Sequence, residues 1–375
     1  MENKKSIYNL CYEWWKNIDK FLFFLIILLF LIGLFFSLVS TSLIVSDKLD
    51  TNDYSFFFKH LVFIFFGLNV IFILSSMNRE KLFKFSIIIF LFSIIFLILV
   101  PFIGIEVKGS KRWIDLYLLP RFQPIELVKP FLIIFLSLIL SSEKYNNIYL
   151  KYLFSFLITL SVSLLLIIQP DIGQTLLVFF SWLILIFTSG INIIFLLITF
   201  IFLISILLYL IIFFPKFAYI KNRLLSFFDS ETGTHNAQPE KAIDSITSGG
   251  YFGKGIGEGT LKNRVPEAHT DYIVSVISEE FGALIIIFLM IIFLFFVYQV
   301  FKKLYFEKDD KIKLILVGSI TILLIQALIH IGVNIRLFPT TGMTLPFLSY
   351  GGSSIIGTSM LSGIILNLTK RKINY

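Results

Sequence analysis

Long apolar runs separated by short polar breaks recur along the whole chain, and their length decides the class of protein. Ten can be drawn, at roughly 21–45, 56–76, 83–105, 126–142, 150–168, 172–189, 191–214, 272–300, 312–338 and 345–368. Each holds about 17 residues or more, enough for an α-helix to cross the hydrocarbon core of a bilayer, where only helices and closed barrels satisfy their own backbone. The pattern predicts an all-α integral membrane protein. Residues 1–375 are expected to form one polytopic domain, a bundle of about ten transmembrane helices with a large loop at about 215–271 between helices 7 and 8.

An even number of spans puts both termini on one side of the membrane. Lys4, Lys5, Lys16 and Lys20 near the start, Lys370, Arg371 and Lys372 near the end, and Arg79, Lys81, Lys84, Lys144, Lys151, Lys302, Lys303, Lys308, Lys311 and Lys313 in short loops share that side. The positive-inside rule makes it cytoplasmic, which leaves the large loop extracytoplasmic. Composition agrees: 57% of residues are hydrophobic, 15% are charged and the mean hydropathy is +0.90, too little polar surface to cover a water-soluble core. The net charge of +8 is explained by topology, and no nucleic-acid partner is expected. Cys11 stands alone, so no intrachain disulfide can form. The first apolar run is too long for a cleaved signal, lacks a small-residue cleavage site, and is expected to stay as a span.

A loop of this length without disorder-type composition is usually functional. Phe227, Phe228, Ile243, Ile246, Tyr251 and Phe252 are spaced so that parts of it suit the membrane interface. The dense polar motifs all fall on the same extracytoplasmic face, which points to a single site. The stretch Lys108-Gly109-Ser110-Lys111-Arg112-Trp113-Ile114 suits either an interfacial anchor or a phosphate binder. In Gln123 to Lys129, Pro124 can open a helix and place Glu126 and Lys129 three apart on one face, as a structural ion pair or a substrate contact. Asp171, in Gln169-Pro170-Asp171, is placed to cap the following helix.

The glycines at 249, 250, 253, 255, 257 and 259 lack the Gly-Lys-Ser/Thr ending of a nucleotide loop and instead allow tight turns or close approach to a ligand. His269, Thr270 and Asp271 stand just before the eighth run. That places a carboxylate at the membrane mouth, with Glu279 and Glu280 expected about two turns deeper, facing a wet cavity. A carboxylate of restricted solvation suits a general base, and a helix cap is its alternative role. Gln326, His330 and Asn334 recur every fourth residue and are expected to bond between helices; one histidine without companions makes no metal site. A Pro/Gly-rich turn, Pro339 to Ser354, leads into the last run and contains Ser349, Tyr350, Gly351 and Gly352.

Taken in order, the segments Lys108 to Ile114, Gln123 to Lys129, Gln169 to Gly173, the glycine series, Pro266 to Ile273, Glu279 to Gly282 and Leu345 to Ser354 resemble the SEDS family of bacterial cell-wall polymerases. The match covers nearly the whole chain, and PEAHTDYI and GMTLPFLSYGG look closer to its FtsW branch than to RodA. The resemblance implies a peptidoglycan glycosyltransferase that polymerises lipid II at the outer face of the bacterial inner membrane, at the division septum. It makes Asp271 the essential acidic, catalytic residue. Substrate-binding candidates are Lys108, Arg112, Trp113, Glu126, Lys129, His269, Thr270, Glu279, Glu280, Ser349, Tyr350, Gly351 and Gly352. Arg112 and Lys129, or a divalent cation such as magnesium or manganese, would stabilise the departing pyrophosphate; no protein-held metal ligand set is expected. The implied partners are a class B penicillin-binding protein and other divisome proteins. The competing readings are a lipid II flippase, a RodA-type elongation polymerase and a non-catalytic scaffold. Short, motif-poor cytoplasmic loops argue against a transporter.

Overall fold

The computed structural model describes residues 7–41, 55–107, 110–115, 120–143, 147–214, 221, 225, 227, 237–260, 265 and 267–370. Among them run thirteen helices and one β-hairpin. The chain begins with α1 (Ile7–Asn17), α2 (Lys20–Thr41), α3 (Ser55–Ser76) and α4 (Arg79–Ile103). The hairpin β1 (Ile105–Val107) and β2 (Ser110–Trp113) follows, then α5 (Pro124–Leu140), α6 (Ile148–Ile168), α7 (Ile172–Thr188) and α8 (Ile193–Phe213). The last third holds α9 (Ala237–Gly249), α10 (Ile273–Phe281), α11 (Ala283–Phe306), α12 (Asp310–Asn334) and α13 (Gly352–Leu368).

Seven of these, α2, α3, α4, α6, α8, α11 and α12, are long and apolar enough to cross a membrane, and α7 and α13 are shorter apolar helices. Polar side chains start several of them. Asn147, Asp171, Asn192 and Asp309 each accept from a backbone N–H in the first turn of the helix that follows, satisfying a donor the helix cannot use itself.

Three expectations need correction. The protein is not wholly helical: β1 and β2 pair antiparallel, with Glu106 opposite Lys111 and Val107 opposite Ser110, and a separate antiparallel bridge joins Ile114 to Phe122. The ninth and tenth runs are helical only to Asn334 and from Gly352, because the prolines and glycines between them leave an irregular segment. The eighth run is not one helix. Gly282, at φ 81 and ψ 173, breaks it into α10 and α11 in a backbone region essentially reserved for glycine. Only α11 has spanning length, and α10 lies against α9.

The bundle is organised around α12, with 72% of its spanning window buried; α8, at the other extreme, has none of its own buried. No hydrophobic force drives helices together in lipid, so close contact relies on small residues. Between α3 and α13, Gly67 meets Ser359 and Gly352 meets Phe63, while a Cβ on Gly363 would stand 3.0 Å from Leu74 Cβ. Asn367 fastens the far end of this pair by donating to Leu74 O at 2.7 Å and Met77 O at 2.8 Å.

Replacing Gly282 by alanine would force a side chain into that backbone region and against Tyr251 O. The substitution should cost about 1–3 kcal/mol, read as a lowered melting temperature in detergent; an unchanged melting curve would contradict the break described here.

Candidate active site

Polar groups from several of the sequence motifs meet at the turn that precedes α10. Glu267 has φ 58, and its carbonyl accepts from Thr270 N at 3.0 Å and Tyr272 N at 3.4 Å, which winds residues 267–272 tightly. Three consecutive carbonyls of this turn are then held from outside it. Tyr350 N donates to His269 O at 3.1 Å, Ser349 Oγ to Thr270 O at 2.8 Å, and Asn334 Nδ2 to Asp271 O at 3.0 Å. Asn334 Oδ1 also accepts from Ser275 N at 3.3 Å, so one side chain holds both the turn and the start of α10.

The half-buried Asp271 side chain reaches towards Gly342. A Cβ built on Gly342 would stand 3.5 Å from Asp271 Oδ2 and 3.9 Å from Arg112 Nη1, so a carboxylate and a guanidinium face the same glycine. Arg112 comes from β2. Its Nη2 donates to Pro170 O, and its Nη1 lies 3.6 Å from Asp171 Oδ1. Asp171 caps α7 by accepting from Gln174 N at 3.4 Å and also accepts from Gln123 Nε2 at 3.0 Å. The cap expected at Asp171 therefore also holds the arginine in place.

Gln326, His330 and Asn334 do share a face of α12, and two of them bond between helices as expected, Gln326 Oε1 accepting from Lys129 Nζ on α5 and Asn334 Oδ1 from Ser275 N in α10; all three also hold loop carbonyls. Gln326 Nε2 donates to Thr344 O at 3.0 Å and His330 Nδ1 to Met343 O at 2.7 Å, while Asn334 holds Asp271 O. The physical reason is supply: helix carbonyls are already engaged within their helices, whereas those of an irregular buried segment need donors. Since a carbonyl only accepts, the proton on His330 sits on Nδ1.

Lys129 and Glu126 lie deeper. Lys129 Nζ donates to Glu126 Oε1 at 2.9 Å and Gln326 Oε1 at 3.0 Å, and Gln174 Nε2 donates to Glu126 Oε1 at 3.1 Å. With Glu126 4% and Lys129 1% exposed, this matched pair belongs to the core, and its link to the site runs through Gln326 and Thr344.

The His269 ring packs on Phe56 at 4.7 Å and Tyr350 at 5.9 Å between centroids. Burial lowers the pKa of His269 against the opposing pull of Glu267, which keeps the imidazole neutral at pH 7, and burial raises that of the Tyr350 phenol. Trp113 pairs with Ile105 in the hairpin, and Gly351 and Gly352 lead into α13. Lys108 lies outside the described residues. Glu279 and Glu280 do not sit in a spanning helix: they are buried near the far end of α10, and Glu279 Oε1 lies 3.8 Å from Lys254 Nζ in the glycine-rich loop. The break at Gly282 turned that stretch aside. Sequence reasoning missed Gly342, whose available signal was a glycine inside PTTGM, and the role of Gln123. Among the described residues, no group of three or more His, Cys, Asp or Glu side chains stands where it could hold a metal ion.

Taken together, the fold and this constellation define a polytopic membrane protein with a carboxylate–guanidinium site framed by loops at one end of the bundle. The family FTSW_RODA_SPOVE, described as cell cycle protein, matches residues 19–374, and the chain belongs to it. It is 30% identical over 365 residues to a probable peptidoglycan glycosyltransferase FtsW of Caulobacter vibrioides, covering 96% of this chain and 91% of that one. It is 31% identical to the protein of the same description from Haemophilus influenzae, covering 95% and 93%. Its fold is similar to a chain of a peptidoglycan synthase complex that coordinates polymerization and crosslinking, with a TM-score of 0.76, 26% identity and coverage of 94% and 97%. It is also similar to the rod shape determining protein RodA of Thermus thermophilus, with a TM-score of 0.68, 27% identity and coverage of 94% and 96%.

Replacing Asn334 by leucine removes the donor to Asp271 O, at about 1–3 kcal/mol for an unmatched backbone carbonyl, and one of the two acceptors of Ser275 N, which keeps Tyr272 O. Amide hydrogen exchange across residues 269–276 should rise tenfold or more, with α3 and α13 unaffected; unchanged exchange there would remove Asn334 from this role.

Proposed function

We propose that this protein is a peptidoglycan glycosyltransferase that polymerises lipid II, a disaccharide-pentapeptide on an undecaprenyl pyrophosphate carrier, into glycan strands. The observation that carries the reading is the convergence of Asp271 and Arg112 on Gly342. In the reaction a sugar hydroxyl attacks the anomeric carbon of the donor, the bond from that carbon to the pyrophosphate oxygen breaks, and the hydroxyl proton passes to the Asp271 carboxylate. Negative charge collects on the departing pyrophosphate, where a guanidinium already fixed by Pro170 and Asp171 stabilises it without reorganising. A divalent cation, magnesium or manganese, arriving with the substrate would add to the charge stabilisation that Arg112 supplies to the departing pyrophosphate.

The finer topology belongs to the same proposal. The seven long apolar helices together with α5, α7 and α13 make ten spans, with both termini cytoplasmic and the site on the outer face of the inner membrane. The FtsW description of the relatives supports a place at the division septum. The similarity to a chain of a synthase complex supports a class B penicillin-binding protein as partner, with other divisome proteins around it. The flippase reading draws on the intramembrane polar groups Gln326 and His330, yet both are engaged with loop carbonyls.

Replacing Asp271 by asparagine should lower the rate of glycan-strand formation from lipid II by at least about 100-fold, with the melting curve unchanged, when protein and partner are assayed together. Wild-type rates from that variant would sink the base assignment. Movement of lipid II across sealed vesicles by a protein with no polymerase activity would favour the flippase.

A further inference from the structure

The glycine-rich loop after α9 has no part in the site, yet it presents the most exposed aromatic side chains of this region. Tyr251 is 74%, Phe252 83% and Ile256 65% exposed. Side chains of this size are strongly disfavoured in water, at about 1.5–3 kcal/mol each when they could be buried instead. The backbone beneath them is fixed. Lys254 N donates to Glu279 O at 2.9 Å and Gly255 N to Glu280 O at 3.0 Å, closing the end of α10. Ala283 N donates to Gly250 O at 2.9 Å and Leu284 N to Tyr251 O at 3.3 Å, which ties the loop to the first residues of α11. Gly250, Gly253, Gly255 and Gly257 all take positive φ, and a Cβ on Gly253 would meet Glu280 O, so only glycine lets the loop lie this close.

These ties fix the height of the exposed side chains. They stand beside the first turn of α11, a helix long and apolar enough to cross a membrane, whose Leu284, Ile287, Phe288 and Ile291, at helical spacing on one face, are themselves about half exposed. Aromatic rings with a lysine at that level match the chemistry of the headgroup zone, which takes an apolar body and a polar tip together. Lys254, with its Nζ 3.8 Å from buried Glu279, supplies the cation at the same height.

We infer that Tyr251, Phe252 and Ile256 seat this loop in the headgroup zone of the bilayer on the Asp271 side, as a foot that stands on lipid. The foot closes one end of α10, and Asp271 stands at the other, so the bilayer surface sets the height of the carboxylate through one short helix. This needs the membrane-spanning fold and does not depend on the glycosyltransferase reading.

Nitroxide labels test it. In a Cys11→Ser background, Phe252→Cys and Ile256→Cys are labelled in the full-length protein in phosphatidylethanolamine–phosphatidylglycerol vesicles. Phe288→Cys serves as the lipid-facing reference and Lys308→Cys as the aqueous one. At 252 and 256, collisions with oxygen should exceed those with a water-soluble nickel chelate several-fold more than at 308, approaching the ratio at 288. Labels at both positions that behave like the one at 308 would overturn the proposal and leave the patch to a protein partner. For the coupling, Tyr251→Ser with Phe252→Ser should raise amide exchange across Ile273–Phe281 several-fold in the same vesicles. Unchanged exchange would disprove the link to Asp271.

Discussion

Everything at the site rests on holding one irregular turn inside a membrane protein. A segment without helical hydrogen bonding leaves carbonyls that lipid cannot satisfy, so the protein must provide a donor for each. It does so at His269, Thr270 and Asp271 in succession, with Tyr350 N, Ser349 Oγ and Asn334 Nδ2. The requirement to satisfy backbone is met by the same bonds that orient the Asp271 carboxylate.

The same economy extends into the core. Gln326, His330 and Asn334 each hold a loop carbonyl, and Gln326 also accepts from Lys129, which is paired with Glu126 and so with Gln174 at the start of α7. A buried ion pair contributes little net stability, because desolvation opposes attraction. Here it fixes the relative placement of α5, α7 and α12, the elements from which the loops around Gly342 are suspended. The Arg112 side is built in parallel, with Asp171 at once capping a helix and holding the guanidinium.

Motion in such a site is restricted by geometry more than by mass. The segment bearing Asp271 is clamped by α12 and the 349–350 turn, while Gly342, with φ 69 and no side chain, keeps open the space between the charges. The clamped turn fixes the orientation of the carboxylate.

The apolar runs alone decided that this is a membrane-spanning bundle, because a run of that length has few other stable solutions. The ordered motifs also marked Asp271, Arg112, Ser349 and Tyr350, since polar residues at membrane depth are rare enough to stand out. The sequence did not reveal that the eighth run is two helices, because periodicity is blind to the backbone angle at Gly282. Nor did it reveal which carbonyls Gln326, His330 and Asn334 would hold, that Glu279 would meet Lys254, or that Asp271 and Arg112 would converge on Gly342. Those pairings join residues far apart in the chain, and only the packing of separate helices brings them within reach of one another.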